Sequence, residues 1–174
     1  MRFTARVTPT AAAGGTVQFT VDGVAVGGPV VVNAIGRATL VTAFAAVGTH
    51  TVSAAYGGTV SYLPSMSTTF TQVVNAAASR TVVTSSGSPA VLGTTVVLTA
   101  TVTPVVPGAG LASGTIQFRV DGVDVGTPAA LNPSGQAAFA TATLARGRHT
   151  VTAVYSGDAG FTGSTSRGLT QRIQ

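Results

Sequence analysis

Apolar and polar residues alternate along most of this chain with a period of two. Val96, Leu98, Ala100 and Val102 fall on one side of an extended segment, and Val97, Thr99, Thr101 and Thr103 on the other. This is the pattern of a strand with one face against a core. Ile116, Phe118 and Val120 repeat it with Gln117 and Arg119 opposite, and Val151, Ala153 and Tyr155 repeat it again. The alternation predicts strands over 81–84, 94–103, 116–120, 123–131, 136–144 and 149–155, with a last one ending near Ile173. Between them lie turn clusters such as Ser86-Gly-Ser-Pro89, Asn132-Pro-Ser-Gly135 and Ser156-Gly-Asp-Ala-Gly160, which supply the residues that reverse a chain at least cost. No segment shows helical spacing with caps.

The chain is written twice. Gly15-Thr-Val-Gln-Phe-Thr-Val-Asp-Gly-Val-Ala-Val-Gly27 returns 99 positions later as Gly114-Thr-Ile-Gln-Phe-Arg-Val-Asp-Gly-Val-Asp-Val-Gly126. In each copy Asp-Gly between apolar runs marks a hairpin with a type I′ turn. Residues 15–72 align to the second half without a gap, including Phe19/Phe118, His50/His149, Tyr56/Tyr155 and Gln72/Gln171, while Val7-Thr8-Pro9 matches Val102-Thr103-Pro104 at an offset of 95. Seven short strands in roughly 95 residues read as a β-sandwich of immunoglobulin type. The fold class is therefore all-β: two tandem immunoglobulin-like β-sandwiches, at 1–75 and 76–174, joined at about Val74 to Arg80 by a linker short enough to favour an elongated pair. Each core should centre on Phe19 with Val52 and Ala54, or on Phe118 with Val151 and Ala153.

Copy one has no counterpart of Thr81 to Thr94, because Met1 aligns with Val96. The first sandwich should lack its N-terminal strand, leaving a sheet edge and some inner-face apolar surface uncovered. Two explanations compete: Met1 is an artificial start and the strand comes from upstream, or a neighbouring subunit donates one.

Composition narrows the function classes. Hydrophobic residues make up 45% of the 174 and charged residues 7%, too apolar for disorder. No apolar run reaches the roughly 18–20 residues that span a bilayer, so no membrane insertion is expected. The first residues have no signal-peptide core; either a signal was removed or the chain is an internal piece. Cysteine and lysine are absent, which removes disulfides, thiolate metal sites and lysine-based isopeptide bonds. The net charge of +5 comes from nine scattered arginines against Asp22, Asp121, Asp124 and Asp158. A nucleic-acid footprint would need a basic stripe, and none is present.

Candidate chemistry is thin. His50 and His149 each open the sixth strand with no second histidine or carboxylate nearby in sequence, which reads as a repeated structural position. Tyr56 and Tyr155 end that strand, where a tyrosine can tie a loop to the sandwich. Asp158 with Asp121 and Asp124 could offer calcium oxygens, but calcium wants six to eight and Asp124 is Ala25 in copy one. Thr-x-Thr rows such as Thr99–Thr103 suit any outward strand face in a threonine-rich protein. No Gly-x-Ser-x-Gly elbow and no glutamate is present, so neither enzyme chemistry nor a cofactor is expected.

The run Gly114-Thr-Ile-Gln-Phe, then Gly135-Gln-Ala, then Gly147-Arg-His-Thr-Val-Thr-Ala-Val-Tyr-Ser-Gly-Asp-Ala-Gly-Phe-Thr-Gly-Ser164 resembles the bacterial Ig-like repeat domains of the Big-3 group. Copy one departs from it at Gly57-Gly-Thr-Val-Ser-Tyr62, where Thr59 replaces the aspartate. The resemblance implies a non-catalytic spacer or surface-display segment of a secreted or cell-wall-associated bacterial protein, with neighbouring Ig-like domains of the same or an adjacent chain as partners. The rival readings are an adhesin or carbohydrate-binding module, and a strand-donating subunit of an extracellular filament. A glycan or protein site would use the last loop, with Tyr62 and Phe161 as its exposed aromatics and Asp158 beside them.

Overall fold

In both copies the aspartate and glycine of the hairpin take positive φ, 50° and 80° at Asp22-Gly23 and 51° and 83° at Asp121-Gly122. The computed structural model describes residues 1–10, 13–44 and 46–174, and its regular elements are all strands. They divide into two units, Met1–Asn75 and Ala76–Gln174. The first holds β1 (Arg2–Arg6), β2 (Thr16–Val21), β3 (Val24–Val31), β4 (Arg37–Val41), β5 (Gly48–Tyr56), β6 (Ser65–Met66) and β7 (Phe70–Val74). The second holds β8 (Ser79–Ser85), β9 (Val96–Pro104), β10 (Thr115–Val120), β11 (Val123–Ala130), β12 (Gln136–Thr141), β13 (Gly147–Tyr155), β14 (Ser164–Thr165) and β15 (Leu169–Ile173).

The second unit is a complete sandwich. One sheet runs β11-β10-β13-β14 with β15 also on β13; the other runs β12-β9-β8. Their inner faces meet through Leu98, Ala100, Ile116, Phe118, Val151, Ala153 and Tyr155, all nearly inaccessible. Pairing puts Phe118 opposite Ala153 and Val120 opposite Val151, so the expected core lies on one face. The hairpin carries a register shift between Ile116 and Phe118, matched by one between Val17 and Phe19. Gln117, read as an outward residue, and its counterpart Gln18 are part-buried and pin that irregularity. Gln117 Nε2 donates to the carbonyls of Phe118 (2.9 Å) and Val125 (3.1 Å), and Gln18 Nε2 to Phe19 (2.9 Å). A glutamine is suited to this task because its amide carries two donors, which reach carbonyls on both strands of the hairpin beside the register shift.

The first unit repeats the larger sheet as β3-β2-β5-β6 with β7 on β5, but its other sheet is only β1-β4. Among the described residues no strand takes the place of β8 beside β1, and Phe19, Val17 and Tyr56 form a smaller core. The two units divide where the sequence expectation put them, but the linker is shorter than expected. Ser79 and Arg80 are not linker; they belong to β8 and pair with Pro104 and Thr103. Ala77 is likewise bound into the second unit, donating to Gly160 and accepting from Thr162. The strand over 81–84 is thus longer than its apolar core, because backbone pairing continues past the last inward side chain. The final strand is split into β14 and β15. Beyond β8, Ala90 lies parallel to Ile173. Ala90 N–H donates to Arg172, Gln174 N–H to Ala90, and Leu92 N–H to Gln174, each at 2.9 Å.

Candidate functional site

Each hairpin aspartate reaches across to the histidine that opens the long central strand. Asp22 Oδ2 lies 2.7 Å from His50 Nδ1, and Asp121 Oδ2 lies 2.7 Å from His149 Nδ1. The other carboxylate oxygen accepts the backbone N–H of Thr51 or Thr150 at 2.8 Å. A type I′ turn holds the aspartate at positive φ, and that backbone aims its side chain back over the sheet. The carboxylate missing near His50 in sequence therefore comes from 28 positions upstream, and the same spacing in both copies was the available signal.

The far nitrogen of each ring meets a backbone carbonyl: His50 Nε2 faces Ala46 O at 3.2 Å, and His149 Nε2 faces Ala145 O at 2.9 Å. Both ring nitrogens thus face acceptors, and only the doubly protonated imidazolium donates to both. The histidine pKa values are accordingly raised, first by the bond to aspartate; the Ala46 or Ala145 carbonyl adds to this, while burial opposes it. Asp22 and Asp121 are lowered, chiefly by the histidine and then by the Thr51 or Thr150 amide. A histidine and aspartate in this contact could suggest two members of a hydrolytic triad. That chemistry needs a free Nε2 lone pair facing a nucleophile, whereas here Nε2 is turned onto a carbonyl. In the first copy Phe44 stacks at a tilt on His50, with centroids 4.7 Å apart. The arrangement is a latch between hairpin and central strand.

The latch makes stability depend on pH. A histidine raised in the fold contributes fully below its unfolded value of 6.5, and the contribution is lost as pH rises through the higher folded value. His149→Gln should therefore flatten the melting temperature of the second domain across neutral to mildly alkaline pH, where the parent chain should fall. Calorimetry of both proteins across that range checks it.

The last loop of the second copy is organised by Asp158. Its Oδ2 accepts from Ser113 N–H (2.7 Å) and Ser113 Oγ–H (2.8 Å), and its Oδ1 from the N–H groups of Gly160 (2.7 Å) and Phe161 (2.8 Å). Burial pushes this carboxyl upward, but the four donors outweigh it and hold it at about 2. The Tyr155 hydroxyl is buried close by without a hydrogen bond of ordinary geometry. Burial and then the Asp158 charge push it up to about 12. In the first copy Thr59 and Gly14 stand where Asp158 and Ser113 do; the loop keeps the backbone bond from Thr59 N–H to Tyr62 O (2.8 Å), and the Thr59 side chain accepts weakly from Ser61 N–H (3.3 Å).

The candidate ligand residues are not presented together. Phe161 is not an exposed aromatic; it is 6% exposed, part of the core, and bridged to Ala77. Tyr62 is half-buried against the first core. Asp158 spends its oxygens on its own loop. The calcium set is likewise dispersed: Asp121 is on His149, Asp124 is on Arg119 Nε at 2.6 Å, and Asp158 is on Ser113. Among the described residues no three potential ligands converge.

The repeated strand order, hairpin and latch agree with a sequence comparison in which the pattern of the bacterial Ig-like domain (group 3) matches residues 1–75 and again 83–174. The chain belongs to this family. No curated protein matches it. Among solved structures, this group 3 Ig-like pair is similar to the fibronectin(III)-like modules of CbhA from Clostridium thermocellum, with 16% identity, 99% of this chain and 83% of that one covered, and a TM-score of 0.37. It is also similar to the D0-D1 domains of intimin (19%, 98% and 89%, 0.39) and to a chimeric titin Z1Z2 tandem (18%, 100% and 90%, 0.33). Likeness at this level says nothing of role. In this chain the latch ties the hairpin to the central strand in both copies, and Asp158 ties its loop to Ser113 in the second.

Proposed function

We propose that this tandem is a structural spacer in a secreted or cell-wall-associated bacterial protein, holding neighbouring domains apart without a reaction of its own. The observation that carries the reading is the duplicated latch. The side chains best suited to chemistry, His50 with Asp22 and His149 with Asp121, stand at equivalent places in both copies and are consumed by local bonds. A ligand site would not need to be repeated at every hairpin base, whereas a fold-maintaining bond would. Family membership supports the same reading.

The spacer role predicts interchangeability. Placed between a cell-wall anchor and a reporter domain on a bacterial surface, the chain should give antibody access to the reporter equal to that from an unrelated pair of sandwiches of similar length. The isolated chain should give no signal on a glycan array. Saturable retention on one defined glycan would replace the spacer reading with the carbohydrate-binding one.

A further inference from the structure

Arginines that lie apart in the sequence gather at one end of the larger sheet of the second domain. Arg148 on β13 stands directly opposite Arg172 on β15, and Arg146 lies just before β13. All of them are exposed. Directly opposed side chains in an antiparallel pair have Cβ atoms about 4.5–5.5 Å apart, and like charges there repel. Among the described residues no carboxylate relieves that repulsion: the ion pairs are His50 with Asp22, Arg119 with Asp124 and His149 with Asp121. Asp121, at the hairpin beside this end of β13, spends its oxygens on His149 and the Thr150 N–H.

The fold does not ask for these charges. The first domain has the same two strands in the same register, with Thr49 opposite Val73, and Val47 stands in the place of Arg146. Val47 and Val73 are 43% and 54% exposed, and Thr49 is exposed as well. These positions therefore face outward in both copies and accept neutral side chains in one of them. Arginine at every one of them in the second copy adds a surface property that packing does not require, at the expense of a repelling pair.

We infer that this end of the sheet is a binding surface for a flexible chain of phosphodiesters, of the kind a polyol phosphate presents. A guanidinium offers forked donors that match two oxygens of a phosphate. Arg148 and Arg172 would hold one phosphate between them, whose charge cancels their repulsion, and Arg146 would take the next. Each exposed charge pair is weak by itself, which favours a ligand that repeats its anion. Thr150 and Thr170, the next outward residues on the two strands, stand opposite one another and add hydroxyl donors along the same line. Nucleobases and sugar rings are gripped by stacking on aromatic side chains, and the outward residues of β10, β13 and β15 include none. Attachment to a bilayer would want an apolar face beside the charges, where threonines stand here. A spacer needs no such ligand; a surface of this kind would also fasten the second domain to an anionic polymer around it.

The test uses the whole 174-residue chain and immobilised poly(glycerol phosphate), read by surface plasmon resonance across a salt series. Binding should be saturable and should weaken with salt at a log–log slope of about −2, the counterion release expected when Arg146, Arg148 and Arg172 each neutralise a phosphate of a flexible chain. Arg148→Gln with Arg172→Gln should lower the affinity at least about tenfold and bring the slope to about −0.7. The second domain of that variant should melt no lower than in the parent, since a repelling pair is gone. Arg2→Gln with Arg80→Gln removes the same net charge elsewhere and should leave the affinity within about twofold, because distant exposed charges are screened. Val47→Arg, Thr49→Arg and Val73→Arg together should give the first domain the same surface and tighten binding through avidity. No saturable binding, an equal loss in both double variants, or tighter retention on single-stranded DNA or on phosphatidylglycerol vesicles than on poly(glycerol phosphate) would each overturn the assignment.

Discussion

Phe118→Ala is expected to destabilise the second domain by about 3–5 kcal/mol, the usual cost of truncating a buried aromatic. Phe118 is 1% exposed and stacks on Phe139 with centroids 5.9 Å apart. It faces Ala153 on one neighbouring strand and Val125 on the other. Ile116, Val120 and Val151 close around it, so the cavity has little freedom to collapse. Phe19→Ala removes the same ring from the first domain, but Phe19 borders an open groove beside β1. Water can enter there and the walls can relax, so the loss should be smaller. Chemical denaturation of the two variants against the parent checks both statements. The transition of the mutated domain should move while the other stays, and Phe118→Ala should produce the larger shift. An unchanged second transition would show that the core is not centred there.

Asp158→Ala should cost the second domain about 2–3 kcal/mol, because four donors lose a charged acceptor and the buried Phe161 amide loses its partner. The pH dependence has a definite sign. The folded carboxyl is held at about 2, below its ordinary 3.8. Its contribution is therefore present above 3.8 and lost as pH falls through about 2. Between those limits the parent's second domain should lose stability steeply, and Asp158→Asn should show a flatter acid limb. Asp22 and Asp121 are also lowered, in both domains, so they form a common background that subtracts out. Differential scanning calorimetry from mildly acidic pH down to about 2 reads the difference. Parallel acid limbs in parent and variant would mean that the loop does not depend on the ionised group.

How much could be read from the chain follows from how local each signal is. The hairpins were legible because Asp-Gly has one economical backbone at that spacing. The pairing of β1 with β4 was legible because duplication supplies its own reference: Phe3 aligns with Leu98 of β9, and both face the strand that follows the hairpin. The latch was not, since Asp22 and His50 are joined only by the pairing of β2 with β5; no local rule links positions 28 apart. Phe161 misled for a related reason. Its neighbours in sequence are turn residues, which suggest exposure. Its neighbours in space are Ala77, brought back by a parallel bridge, and the stretch of Gly108 and Gly110, which passes beside the ring. Gln117 was assigned outward by alternation alone, and alternation cannot foresee the register shift that folds its amide back onto the strand.

The parallel pairing of Ala90 with Ile173 has a mechanical consequence. If the second domain is pulled between its first strand and its C-terminal end, the bonds joining Ala90 and Leu92 to Arg172 and Gln174 lie along the load. They must then fail together in shear and cannot unzip one at a time. The second domain should therefore resist tension at this short parallel patch and unfold at a force set by the joint loss of those three bonds.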